Sequence, residues 1–196
     1  MPLSSSSNSS RRLLLVLAFS LQVGCAVQPS ERPAGSLSSL QTGARIDVAF
    51  SPEAGAEALV LKVMDSAQRS LRLAGYSFTS PAVVRALVNA RKRGVDVKVL
   101  LDDRGNRGKA SIAAMNLIAG ADIPVRVISS YAIHHDKYIV VDGRHTETGS
   151  FNYSQAAARS NSENVLVVWN DERVASSYLA HWDSRWAQGV AVEVSF

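Results

Sequence analysis

The sequence predicts an α/β domain: a mixed, mostly central β-sheet flanked by helices on both faces. Three observations predict it. Apolar runs of strand length alternate with amphipathic stretches of helix length from Ile46 onward. Two helical stretches open on Ser-Pro pairs and one stops on a glycine, the chemistry of helix ends. The 196 residues suffice for one domain with a proper core, are short for two, and contain no internal repeat.

The elements follow in order. "RIDVAF" alternates like a strand. Ser51-Pro52-Glu53 is expected to open a helix: Ser caps, Pro fits the first turn, and Glu favours the positive end. Its apolar stripe is Ala58, Leu59, Leu61, Val63 and Met64. "SLRLAGYSF" is a second strand, and "SPAVVRALVNARKRG" a second helix, started at Ser80-Pro81 and stopped at Gly94. "VDVKVLLDD" is a third strand that ends in the charged loop "DDRGNRGKA". A helix over residues 110–119 and the strands "IPVRVIS" and "HDKYIVVDG" come next. After a short loop-helix piece, "ENVLVVWN" is a further strand. "DERVASSYLAHWDSRWAQG" is the last helix, with Val174, Tyr178, His181, Trp182 and Trp186 at helical spacing.

Upstream of the domain, residues 1–26 have the layout of a secretory signal: Arg11-Arg12, an apolar run from Leu13 to Leu21, then small residues. The run is too short for a comfortable transmembrane helix. Cys25 is the single cysteine, which rules out an intramolecular disulfide and a cysteine metal cage. "VGC" before Ala26 leaves lipid attachment at Cys25 open, although Gln22 stands where a lipoprotein signal usually has Leu. Residues 27–45 read as a flexible linker, and 46–196 as the folded domain. The protein is expected to be exported, periplasmic or secreted. It would meet a membrane only through a lipid on Cys25 or an uncleaved signal. The net charge of +4 drops to about +2 once Arg11 and Arg12 are removed. Attraction for a polyanion must therefore come from local clustering rather than from the whole chain.

One stretch carries chemistry: "HHDKYIVVDGRHTETGSFNYS". In a strand, His135 and Lys137 project to one face, about 7 Å apart at the backbone. A lysine can neutralise a phosphate oxygen while an imidazole attacks phosphorus. Gly149 permits close backbone approach, and Ser150 and Asn152 can donate hydrogen bonds to phosphate oxygens without adding charge. Glu163 can accept a proton from the imidazole and fix its tautomer, or it can be a surface carboxylate. Asp142 is grouped with the catalytic candidates, yet turn chemistry beside Gly143 explains it, and the structural role is the one expected. Arg104, Arg107 and Lys109 either track a phosphate backbone or form a solvated loop. His134, His145 and His181 are expected to be non-catalytic, and Trp182 and Trp186 to be core or interface residues.

The spaced pattern His135-x-Lys137-x4-Asp142-x6-Gly149-Ser150-x-Asn152, with Glu163 downstream, resembles the signature of the phospholipase D superfamily. The stretches "GYSFTSP", "RGVDVKVLLDDRGNRGKASIAAMN" and "NSENVLVVWN" extend the likeness to its small, single-signature bacterial Nuc-type endonucleases. The resemblance implies a phospholipase D-like α-β-α sandwich and a homodimer whose two copies meet at one active site. It implies that one His135 attacks phosphorus to give a phosphohistidine, while the second copy's His135 protonates the leaving oxygen and then activates water. Lys137, Asn152 and Ser150 would hold the nonbridging oxygens, and Glu163 would orient the imidazole. No metal and no cofactor is implied, because the lysines supply the charge. Nonspecific cleavage of DNA, with RNA open, is the substrate reading implied. A phospholipase D or phosphatidyltransferase is the alternative, and a non-catalytic DNA-binding dimer a second one.

Overall fold

The computed structural model describes residues 44–193. The expected signal, Cys25 and nearly all of the expected linker lie outside the described residues. Among the described residues, eight strands form one sheet in the order β1-β7-β6-β5-β2-β3-β4-β8. They are β1 (Arg45–Ser51), β2 (Ser70–Gly75), β3 (Asp96–Asp102), β4 (Val125–Ile128), β5 (Lys137–Val141), β6 (His145–Gly149), β7 (Glu163–Trp169) and β8 (Val190–Ala191). Strands β2, β3 and β4 are mutually parallel, and the other neighbours pair antiparallel.

The helices are α1 (Ala56–Asp65), α2 (Pro81–Lys92), α3 (Lys109–Ala119), α4 (Gln155–Arg159) and α5 (Glu172–Trp186). On one face, α1, α2 and α3 close a core around Val60, Val63, Leu73, Val99, Ile139 and Phe151. On the other, α5 lies over β2, β5 and β6 and buries Trp182 with Ala74, Leu100, Tyr138 and Val140. The indole N–H of Trp182 donates to the Leu73 carbonyl at 3.1 Å, so its polar atom is satisfied in that core. This is the expected mixed sheet with helices on both faces. On the α5 side, Ile46, Val48 and Phe50 of β1 stay exposed. Among the described residues no helix is long and apolar enough to cross a membrane.

Two local expectations are corrected. Ser51 does not open α1. Its pairing with Glu163 keeps it extended as the last residue of β1, and Phe50 and Ala54 exchange backbone hydrogen bonds that close a turn. The helix begins five residues later, after Gly55 at φ +80°. Sheet pairing overrides the cap signal there. The buried face of α1 is Ala56, Leu59, Val60, Val63 and Met64, while Ala58 is exposed. By contrast Ser80 does cap α2, accepting from the Val83 N–H at 3.4 Å.

The second correction is β6, "HTETG", which sequence patterning leaves as loop. It holds no aliphatic residue, yet His145, Thr146 and Glu147 are buried because the strand is central in the sheet and α5 and α1 pack over its faces. In α5 only Ala175 and Trp182 of the expected stripe region are fully buried; Tyr178, His181 and Trp186 are half-buried.

The register sets the site. Gly75, at the carboxyl end of β2, pairs with Lys137, at the start of β5. Gly149 ends β6 opposite Val165, and Glu163 opens β7. All these termini lie along one edge of the sheet, at the carboxyl ends of the parallel strands, where open α/β sheets place ligands.

Candidate active site

His135 lies in the segment before β5 and presents an exposed imidazole. Its ring packs against Tyr76, with centroids 4.8 Å apart and planes tilted by 58°. Lys137 is buried, its ammonium 5.3 Å from the centre of the same Tyr76 ring. Lys137 Nζ also donates to the His135 carbonyl at 3.0 Å. Burial lowers the lysine's pKa, and the charges of Glu163 and Asp136 oppose the shift. His135 and Lys137 therefore share one side of the strand end, as alternation requires. Asp136 turns to the α5 side, where its carboxylate meets His181 Nε2 at 3.0 Å and His134 Nδ1 at 3.4 Å.

Two residues that sequence reasoning placed in a charged loop hold this segment. Asp102, buried at the end of β3, accepts the His134 N–H at 2.7 Å and the Gly105 N–H at 2.6 Å. Asn106 accepts the Phe78 N–H at 2.9 Å and donates to the Tyr76 carbonyl at 2.6 Å and the Asp102 carbonyl at 2.8 Å. Together they fix the backbones that carry Tyr76 and His135. A carboxylate closing an apolar strand at the ligand edge was the available signal.

The Gly-Ser-x-Asn turn is built just as tightly. A Cβ on Gly149 would sit 2.2 Å from the Asn164 carbonyl oxygen, so only glycine fits. The Ser150 hydroxyl donates to Glu163 at 2.6 Å and accepts from the Asn164 N–H at 3.0 Å. Asn161 donates to the other Glu163 oxygen at 2.9 Å. These bonds bear on two expected roles. Ser150 commits its proton to Glu163 rather than holding it for phosphate. Glu163 is anchored by Ser150 and Asn161, and among the described residues no hydrogen bond joins it to the His135 ring of its own chain.

Asn152 follows on the same turn, and its buried Oδ1 has no hydrogen-bond partner. Below it, the Tyr153 hydroxyl donates to Glu147 at 2.8 Å. Burial pushes the Glu147 carboxyl up to about 8 against the opposing Tyr153 bond, so it is protonated at neutral pH. The Tyr153 carbonyl accepts from both Thr79 N–H and Ser80 N–H at 2.9 Å, joining this turn to the Tyr76 segment.

Asp142 stands elsewhere. It lies five residues past Lys137 at the opposite end of β5, roughly 16 Å away at strand rise. Its φ is +55°, and its carboxylate accepts the N–H groups of Arg69 at 2.8 Å and Ser70 at 2.9 Å. Those amide bonds and Arg69 lower its pKa although burial alone would raise it. Asp142 ties the start of β2 to the end of β5, so grouping it with catalytic residues is corrected: its geometry is structural. His145, at that same remote end, accepts the Asn170 N–H at 3.0 Å.

Of the loop cations, Arg107 pairs with Asp103 at 2.5 Å and Arg104 donates to the Ala132 carbonyl at 3.3 Å. Lys109 is exposed at the start of α3. The loop thus borders the His135 segment with two of its three cations engaged locally.

A cleft of about 440 Å³ opens beside His135 and Lys137, walled by Tyr138, Thr148, Tyr178 and His181. An exposed nucleophilic ring, a buried ammonium and an unsatisfied amide at one sheet edge suit a phosphate ester. Residues 60–186 match the family described as cardiolipin synthase, PLD-like domain. The chain belongs to the phospholipase D superfamily. It is 35% identical over 140 residues to phospholipase D of Rickettsia typhi, covering 71% of this chain and 67% of that one. It is 30% identical over 177 residues to the human mitochondrial cardiolipin hydrolase, covering 88% of this chain and 66% of that one. Among solved structures, the phospholipase D family member Nuc from Salmonella typhimurium superposes with a TM-score of 0.76 at 52% identity, over 77% of this chain and 99% of Nuc. Members of the superfamily hydrolyse phosphodiesters, and this chain is a phosphodiester hydrolase of Nuc type.

Proposed function

We propose that the chain is an exported, nonspecific endonuclease that cleaves DNA, and RNA where accessible, through a phosphohistidine intermediate without a metal. The observation that carries this reading is the 52% identity to Nuc across nearly all of that protein, joined to an exposed His135 with one lysine and one free amide beside it. His135 attacks phosphorus, and Lys137 and Asn152 meet the nonbridging oxygens as charge builds. Asn152 Oδ1 is an acceptor, so its amide N–H₂ is the group to turn toward phosphate.

A single chain supplies one His135, and the reaction needs a base and an acid. The reading therefore places a second copy against this edge, related by a twofold axis, with the partner's His135 protonating the leaving oxygen. Glu163 acts through Lys137, whose positive charge it sustains.

The lipid reading stays second. It is favoured by the names of the relatives from Rickettsia typhi and human mitochondria and by Ile133, exposed next to the site. The experiment is incubation of the purified protein with plasmid DNA in excess EDTA, beside phosphatidylcholine and cardiolipin vesicles. EDTA-resistant nicking that disappears in His135→Ala is the expected result. Lipid turnover with intact plasmid would overturn it.

A further inference from the structure

We propose that Arg185, with His181 beside it, forms a second phosphate-binding subsite that takes the phosphate neighbouring the scissile one in a nucleic-acid strand. The proposal rests on the nuclease reading above and says how that site would recognise a strand. A cavity of about 150 Å³ adjoins the main cleft and shares His135 as a wall. Its other walls include Tyr131, His134, Asp136, His181 and Arg185.

Arg185 is held ready. Its guanidinium lies 4.9 Å from the centre of the Tyr131 ring, and Nη1 donates to Ser184 Oγ at 3.1 Å. The Tyr131 hydroxyl in turn donates to Gln188 at 3.0 Å, fixing that ring. Among the described residues Arg185 makes no ion pair, as is true of several other arginines, but it is the arginine in the wall of this cavity. A planar fork stacked on an aromatic ring and lacking a carboxylate partner is suited to bidentate contact with phosphate.

The imidazoles point the same way. The one carboxylate in the cavity wall, Asp136, is occupied by His181 Nε2 at 3.0 Å and lies 3.4 Å from His134 Nδ1. His134 is almost wholly buried, and its Nε2 has no hydrogen-bond partner. An anion in the cavity favours the protonated form of these rings, opposing the burial that lowers the His134 pKa. Because His135 bounds both spaces, an anion held here lies next to the reacting phosphorus. A nucleic-acid strand supplies such a neighbour, one sugar away. A single phosphodiester does not.

The test compares thymidine dinucleotide, with one phosphodiester, and thymidine trinucleotide, with two, in the wild-type protein, Arg185→Gln and Arg185→Lys. The measured quantity is the ratio of kcat/KM for trimer over dimer, which cancels any general loss of activity or of folded protein. A ratio of roughly tenfold or more is expected in the wild type. It should fall in Arg185→Gln toward about two, the value that two scissile bonds give by counting, and recover in part in Arg185→Lys. A wild-type ratio of about two or less, or an equal ratio in Arg185→Gln, overturns the subsite while leaving the nuclease reading intact. Turnover of bis(p-nitrophenyl) phosphate with no cleavage of either oligonucleotide overturns both. A preference for cardiolipin over phosphatidylcholine that is lost in Arg185→Gln, without any oligonucleotide preference, would reassign the subsite to a lipid and so also overturns it as stated.

Discussion

Ser150 and Glu163 are joined by a 2.6 Å hydrogen bond across the β6–β7 edge, with the serine as donor. The serine of the signature thus fixes a carboxylate whose field acts on Lys137. Ser150→Ala removes that donor and leaves the Asn164 N–H without its acceptor. Activity on bis(p-nitrophenyl) phosphate should fall on the order of tenfold, and the urea-unfolding free energy by about 1–2 kcal/mol. A full loss of activity equal to that of His135→Ala would instead place Ser150 on the substrate.

Gly149→Ala tests the close approach of β6 to β7. The added Cβ meets backbone, the Asn164 carbonyl, and backbone cannot rotate away as a side chain can. The two strands must part where the Ser150–Glu163 bond spans them. A loss of about 1–3 kcal/mol or more is expected, with activity lost even in the molecules that remain folded. Thermal melting and a rate normalised to folded protein check both parts.

Glu147 sets a pH dependence of stability. Its folded pKa of about 8 lies above its ordinary 4.5 because burial disfavours the ionised form. The folded state therefore holds a proton that the unfolded state has lost throughout that window. Stability from this group is fully present below pH 4.5, declines as pH rises, and is gone above about 8, a span of at most about 4–5 kcal/mol. Glu147→Gln keeps the shape and cannot ionise, so its stability should be flatter from pH 5 to 9 than that of the wild type. Urea midpoints across that range decide it; parallel curves would refute the assignment.

Much of this arrangement was legible in the sequence, and the misses share a cause. His135, Lys137 and Asn152 stood out because period-two alternation and a Gly-Ser turn place them without reference to the rest of the chain. Strand β6 did not, because its burial comes from its central place in the sheet and the helices over its faces rather than from its own apolar residues. Asp102 and Asn106 were hidden for a related reason: their value lies in backbone groups of Tyr76, Phe78 and His134, far off in sequence. Ser51 misled because a good cap sequence was spent on a strand end.

Asp142→Asn separates structural from catalytic residues in the signature. Asparagine tolerates the φ of +55° found there, but it offers one acceptor oxygen where the carboxylate serves the amides of Gln68, Arg69 and Ser70. Stability should fall by about 1–3 kcal/mol. The carboxylate's folded pKa is lowered, so its contribution is present above the ordinary value and is lost as pH falls through the folded one. Acid unfolding of Asp142→Asn should therefore be less steep than that of the wild type. The kcat per folded molecule should stay near that of the wild type; a drop of a hundredfold would return Asp142 to the reacting groups.

Mixing experiments test whether two copies share one site. If each site needs His135 from both chains, a pair containing one His135→Ala chain is inactive. After unfolding and refolding equal amounts of wild-type and His135→Ala protein together, random pairing leaves about one quarter of pairs with two intact histidines. Activity should then fall to about one quarter of that given by the same total protein as wild type, and follow the square of the wild-type fraction as the mixture varies. Independent sites would follow the fraction itself, giving one half at equal mixing. The same curve measured on bis(p-nitrophenyl) phosphate and on plasmid DNA separates the chemistry from strand binding. A linear curve on the small diester would show that one imidazole suffices, and the search for the acid would move to His181, the other half-exposed ring at the cleft.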